Sequence, residues 1–205
     1  MAARVGLTVE RLVRTGADLA DELGFDRVTV ALLARHFGVR PASLYAHVKG
    51  SDDLRTRIAL LALEEMADLG AAALAGRAGK DALAAFAEVY RGYAERHPGR
   101  YAAAQLPLSP EDAAASAGPR HAAMTRAILR GYDLPEPDRT HAVRLLGSVF
   151  HGYADLELKG AFRHSAPDSR ESWSRIVDAL DVLLRAWPPS PAPAPTPAPI
   201  TKEQS

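Results

Sequence analysis

Residues 29–48 read Thr-Val-Ala-Leu-Leu-Ala-Arg-His-Phe-Gly-Val-Arg-Pro-Ala-Ser-Leu-Tyr-Ala-His-Val, and their spacing describes two short helices joined by a tight turn. Thr29 can cap the first by accepting a hydrogen bond from a free backbone N–H. Val30, Leu33, Ala34 and Phe37 then share one face at 3.6-residue periodicity. Gly38 follows at once, and glycine takes the left-handed conformation of a helix C-terminus without a Cβ penalty. Val39 fills the corner. Pro41, with φ preset and no N–H to leave unpaired, starts a second helix whose Leu44 and Val48 turn inward. Arg40, Ala42, Ser43, Tyr45 and His47 face outward.

Short helical hairpins are common, and the turn alone favours DNA only modestly; the physics favours a helix-turn-helix, whose second helix lies in the DNA major groove with its N-terminal residues at the base edges. From Gly24-Phe25 through Thr29, Leu33-Ala34, Gly38-Val39, Leu44-Tyr45 and His47-Val48 to Leu54, the first third of the chain resembles the DNA-binding domain of the TetR family of bacterial repressors. The candidate DNA-contacting set is Thr29, Arg40, Pro41, Ala42, Ser43, Tyr45, His47 and Lys49. By chemistry Arg40 can grip guanine or a phosphate, Ser43 can donate or accept, and Ala42 can touch a thymine methyl. By the resemblance Tyr45 hydrogen-bonds a phosphate, and His47 and Lys49 position the duplex. The family commonly carries a lysine near Ser51. Here Ser51 is expected to cap the next helix, with Asp52 and Asp53 in its first turn repelling DNA, so binding should be weaker and more salt-sensitive.

Composition bounds the rest. The chain has 205 residues, 47% of them hydrophobic, enough for a globular core. Lys plus Arg equals Asp plus Glu at 25 each, but between Arg27 and Arg57 six basic residues face two acidic ones. Affinity for phosphates follows such a local patch. The absence of cysteine excludes disulfides and thiolate chemistry. No apolar signal core opens the chain and no run is long enough for a membrane span, so a cytoplasmic protein with no membrane partner is expected. The seven histidines show neither Glu-x-x-His nor His-Glu-x-x-His spacing, and no nucleophile elbow or phosphate loop occurs. Neither metal, cofactor nor enzymatic activity is expected.

Taken in order, Thr8 to Leu23 is an amphipathic support helix with Val9, Leu12, Val13, Ala17, Ala20 and Leu23 inward, preceded by an arm carrying Arg4. A helix from Ser51 to about Ala75 joins this head to the C-terminal part of the chain, and Gly76 to Gly79 is the first break. Helices are expected over 81–97, 100–106, 120–131, 137–160 and 168–187, with Glu111 to Ala117 a separate turn because of Pro119. The expected fold is all-α: an N-terminal three-helix helix-turn-helix DNA-binding domain over 1–70 and a C-terminal helical ligand-binding and dimerisation domain over 71–187. A Pro-rich tail over 188–205, with seven prolines before Ile200, should be extended.

Ala142 to Leu158 is apolar on two sides and needs two partners, of which one can be its own core and the other a second copy of the chain, a monomeric core helix being the alternative. The expected homodimer interface contains Val149, Leu156, Trp173, Ile176, Leu180 and Leu184, which would suit a palindromic operator in double-stranded DNA. His97-Pro-Gly-Arg-Tyr101 and His151-Gly-Tyr-Ala-Asp-Leu-Glu157 resemble the C-terminal domain of a TetR subgroup named for a Trp-His-Gly signature. That resemblance implies an apolar cavity for a small apolar effector, lined by Phe86, Tyr90, Tyr93, Tyr101, Leu106, Met124, Phe150 and Tyr153, with His151 or tyrosine hydroxyls orienting it. The function expected is a homodimeric repressor released from its operator by that ligand. A helical protein-interaction adaptor and a non-inducible activator or architectural DNA binder are the alternatives.

Overall fold

The computed structural model describes residues 6–188, so the arm with Arg4 and the Pro-rich tail past Pro188 lie outside the described residues. Within them the regular structure is helical: α1 (Val9–Leu23), α2 (Val30–Phe37), α3 (Ser51–Leu74), α4 (Gly79–Arg96), α5 (Pro98–Ala104), α6 (Pro110–Ala115), α7 (Gly118–Leu129), α8 (Asp138–Leu158) and α9 (Ser169–Arg185). No helix among the described residues is long and apolar enough to cross a membrane.

Short polar side chains start α1, α2, α6 and α9 by occupying orphan N–H groups. The Thr8 and Thr29 hydroxyls accept from Arg11 N at 3.2 Å and Leu32 N at 3.1 Å, and the Asp168 carboxylate accepts from Arg170 N at 2.8 Å. The end of α2 is a Schellman closure: Gly38 at φ 66° lets Val39 N–H reach Ala34 O at 3.0 Å while its own N–H reaches Arg35 O at 3.2 Å.

Two apolar cores share one helix. Leu12, Ala17, Val28, Leu33, Leu44, Leu54 and Ile58 close the head around α1, α2 and the start of α3. Ala62, Met66, Leu83, Phe86, Phe150 and Leu184 close the body. The 24 residues of α3 span about 36 Å, long enough for successive turns to serve first one core and then the other. Helix α5 is shared too: Ala103 is buried in the head's core and Tyr101 in the body's.

Several expectations need correction. The second helix of the reading unit is a 3₁₀ turn over Pro41–Ser43 continued by Leu44 O accepting from His47 N and Val48 N at 2.9 and 3.1 Å. The Asp53 carboxylate takes the Lys49 N–H at 2.9 Å, a donor that a longer helix would have used. Ser51 does not cap its own helix; its hydroxyl accepts from Val30 N at 3.1 Å, across to the start of α2. Leu23, expected to face inward, is 40% exposed at the last residue of α1.

Candidate nucleic-acid interface and the polar core behind it

The turn from Arg40 to Lys49 presents its polar side chains because two apolar ones anchor it. Leu44 and Val48 are buried in the head's core, and Arg40, Pro41, Ala42, Ser43, Tyr45 and Lys49 are exposed between and around them, with His47 half-buried. Tyr45 stands out at 58% exposure, an amphipathic ring held outward with its hydroxyl free to meet a polar surface. Thr29 is half-buried and its hydroxyl already serves the α2 cap, so it supports the turn from behind.

The local charges are partly spent inside the protein. Arg57 Nε lies 3.1 Å from both Asp53 oxygens, and Arg55 hydrogen-bonds the Asp26 carbonyl while its guanidinium lies over the Phe25 ring at 5.6 Å. Burial alone would raise the Asp53 carboxyl, but its bonds from Arg57 and the Lys49 N–H outweigh that and hold it below the ordinary aspartate value. Asp53 is therefore a neutralised structural acid rather than one of two free carboxylates facing DNA. Arg27, Arg35, Arg40 and Lys49 remain as exposed cations of the head.

In the body, the predicted aromatic residues divide. Phe86, Tyr90, Tyr101, Phe150 and His151 come together, with Tyr90 at the centre: its ring lies 5.4 Å from Phe86, 5.5 Å from Phe150 and 5.0 Å from His151, centroid to centroid. The hydroxyls find imidazole partners, Tyr90 with His121 Nδ1 at 3.3 Å and Tyr101 with His151 Nδ1 at 2.8 Å. His121 Nε2 reaches the Leu63 carbonyl of α3 at 3.0 Å. A carbonyl only accepts, so Nε2 carries the proton, Nδ1 accepts, and Tyr90 O–H donates. Burial, the largest influence, depresses the basicity of both histidines, and each lies below the ordinary imidazole value. Burial also pushes the Tyr90 phenol up to about 12. His121 was missed from sequence, where an isolated histidine on an Ala-rich helix carries no signal.

Other candidates lie elsewhere. Tyr93 turns toward α3 and donates to Glu65 at 2.7 Å. Leu106 packs against the head's core. Tyr153 stacks at 4.9 Å from Trp173 and 4.8 Å from Phe162 and bonds the Ser169 carbonyl. Met124 is half-buried between α7 and α3, beside Gly70. Of the proposed interface residues, Trp173, Leu180 and Leu184 point into the chain's own core and have almost no surface left to offer. Leu156 is exposed on α8, while Val149 and Ile176 are half-buried at the edge of the body's core. No group of three or more metal-ligating side chains is assembled among the described residues.

An all-α chain that projects an anchored helix-turn-helix from one end of a helical body is a DNA-binding transcriptional regulator by architecture. Comparison with known proteins gives the same class. Residues 83–180 match the family model described as the Tetracyclin repressor-like C-terminal domain. The HTH-type transcriptional regulator YobS of Bacillus subtilis is 32% identical over 162 residues, 79% of this chain and 85% of that protein. The HTH-type regulator Rv0681 of Mycobacterium tuberculosis is 34% identical over 156 residues, covering 75% and 72% of the two chains. The TetR family regulator PfmR of Thermus thermophilus superposes with a TM-score of 0.62 at 27% identity, over 86% of this chain and 96% of that one. For SCO7222, a TetR from Streptomyces coelicolor, the TM-score is 0.68 at 19% identity, over 88% and 99%, a likeness of fold. The chain belongs to the TetR family of DNA-binding transcriptional regulators.

Proposed function

We propose that the chain is a cytoplasmic homodimeric repressor that holds a palindromic operator and releases it when a small, largely apolar ligand enters the body. In the head, Arg40, Ala42 and Ser43 address base edges, while Tyr45, His47 and Lys49 meet phosphates. The head extends to about the middle of α3, where side chains pass from one core to the other. The observation that carries the effector half is the pair of Tyr–His contacts inside an otherwise apolar core, joining α3, α4, α5, α7 and α8. Buried polar groups in such a setting fix the orientation of a ligand whose bulk is apolar. His151 Nε2 has no hydrogen-bond partner among the described residues and suits that role.

A ligand that displaces Tyr90 from His121 acts directly on the hydrogen bond to α3, the helix that begins in the head. It shifts the equilibrium between DNA-competent and incompetent arrangements only by its differential affinity for the two. The test is a gel-shift titration on the promoter region of the protein's own and adjacent genes, with and without apolar metabolites. Release of DNA by one of them is expected. A ligand bound equally tightly by free and DNA-bound protein would overturn the mechanism.

A further inference from the structure

Counting protons in the Tyr–His cluster shows what it can still bind. The Tyr90 O–H is spent on His121 Nδ1, and the His121 Nε2–H is spent on the Leu63 carbonyl. The Tyr101 hydroxyl and His151 Nδ1, 2.8 Å apart, admit two arrangements. If Nδ1 carried the proton, the phenol proton and the Nε2 lone pair would both go unpaired. With the phenol donating, only the Nε2–H is left over, and buried polar groups favour the arrangement with fewest orphans. The cluster therefore offers an incoming molecule one free N–H, that of His151 Nε2.

There is room beside that donor. His151 is half-buried, as are His121 and Met124 on α7. Gly147 lies one turn before His151 on the same flank of α8, and a Cβ added there would meet no atom within 4 Å. Among the described residues no charged side chain hydrogen-bonds to the cluster. The charges that reach it are already paired: Asp155, which acts on Tyr101, holds Lys159 at 2.6 Å, and Arg120, which acts on His121, pairs with Glu64 and, at 2.7 Å, with Asp68. Burial keeps both imidazoles uncharged. A carboxylate, phosphate or ammonium would enter without a counter-charge, and burying it so costs far more than one hydrogen bond returns.

We infer that the effector is an uncharged, mainly apolar molecule bearing a carbonyl oxygen, which accepts from His151 Nε2, and that His151 sets this specificity. The inference rests on the effector reading above and narrows it: free acids, amines and phosphorylated metabolites are excluded.

The test is calorimetric titration of the full-length protein, near neutral pH, with methyl naphthoate, methylnaphthalene, naphthoate and naphthylmethylamine, which share a ring system and differ in the polar group. The ester should bind about tenfold more tightly than the hydrocarbon, the worth of one net hydrogen bond. The two ions should bind at least about a hundredfold more weakly than the ester. His151→Phe, a ring without the donor, should make ester and hydrocarbon equal, and His151→Gln, which keeps an N–H, should restore most of the difference. Tyr101→Phe frees the imidazole to take either tautomer and should cut the preference to about threefold; it decides the matter if His151→Phe fails to fold. An ion bound as tightly as the ester overturns the uncharged class. Equal binding of ester and hydrocarbon by the wild type, or an undiminished preference in folded His151→Phe, overturns the role of His151. Binding of none of the four overturns the site as drawn, while the effector reading itself stands or falls separately on whether any metabolite releases DNA.

Discussion

Tyr45 and Arg40 are the proposed operator contacts that can be tested without disturbing the fold, because neither is buried in a core. Both are exposed, and the neighbours that hold the turn in place are Leu44 and Val48. Arg40→Ala should lower operator affinity by about 1–3 kcal/mol and relax preference at one base position, while leaving the melting temperature unchanged. Tyr45→Phe should weaken binding uniformly across sequences, as the loss of a phosphate contact does. Fluorescence anisotropy on matched and mismatched duplexes checks both. Equal affinity of both variants and wild type would remove these side chains from the interface. The buried histidines make a separate statement about stability. His121 and His151 are held neutral, with basicity below the usual value of 6.5 that they regain on unfolding. The unfolded chain therefore takes up protons first as pH falls. Stability is full above about pH 6.5 and declines below it until the folded imidazoles titrate too. The paired carboxylates Asp53, Glu157 and Asp181 are depressed below ordinary values of 3.8 to 4.5, so their contribution is lost only at lower pH. Thermal melts should thus be flat from pH 8 to 7 and fall between roughly 6.5 and 5, and His121→Asn should make that fall shallower.

Among the elements, α2 and α3 share the head's core and are bridged by the Ser51 hydroxyl. Ser51 accepts the Val30 N–H, and Ser51→Ala leaves that donor without its partner at the half-buried start of α2. The cost should be about 0.5–2 kcal/mol, comparable to removing a helix cap, read as a lower midpoint in urea. Ser51→Thr, which keeps the hydroxyl, should restore it. Legibility in the sequence divides in the same way, between local and distant partners. The caps at Thr8 and Thr29, the closures at Gly24 and Gly38, and the proline-marked breaks depend on residues within one turn of each other, and they set helix ends to within a few positions. Ser51 is misleading in sequence because its partner lies 21 residues away, and the Arg40–Val48 turn because Asp53 competes for the Lys49 N–H that would extend it. Leu106 has the same periodicity whether it serves head or body, and only the path of α5 puts it on the head. In the aromatic core of the body, Tyr90, Tyr101, Phe150 and His151 are legible as a group, while His121 needs the Leu63 carbonyl of a distant helix to give it meaning.

At the scale of the molecule, the proposed dimer separates the two faces of α8 and α9 into one that serves stability and one that would serve assembly. One face is spent: Trp173, Leu180 and Leu184 fill the core against Phe150 and its neighbours. The other carries half-buried Leu145 and Val149 with exposed Gly152 and Leu156 on α8, and half-buried Ile176 with exposed Ala179 and Leu183 on α9, the aliphatic and small residues of the proposed assembly surface. Amphipathicity alone shows that each helix has an apolar stripe but not which stripe the chain covers first. Opposite consequences attach to substitutions one residue apart. Leu183, 43% exposed, and Leu156, 47% exposed, can each become Glu with the helix content intact, whereas Leu184, fully buried, should lose about 2–5 kcal/mol of stability as Leu184→Ala. Sedimentation of Leu156→Glu/Leu183→Glu at micromolar concentration should show a folded monomer. Since a single short reading turn meets too few base pairs to discriminate, that monomer should bind an operator no better than random duplex. A double variant that sediments as a dimer with wild-type operator affinity would place the assembly surface elsewhere on the chain.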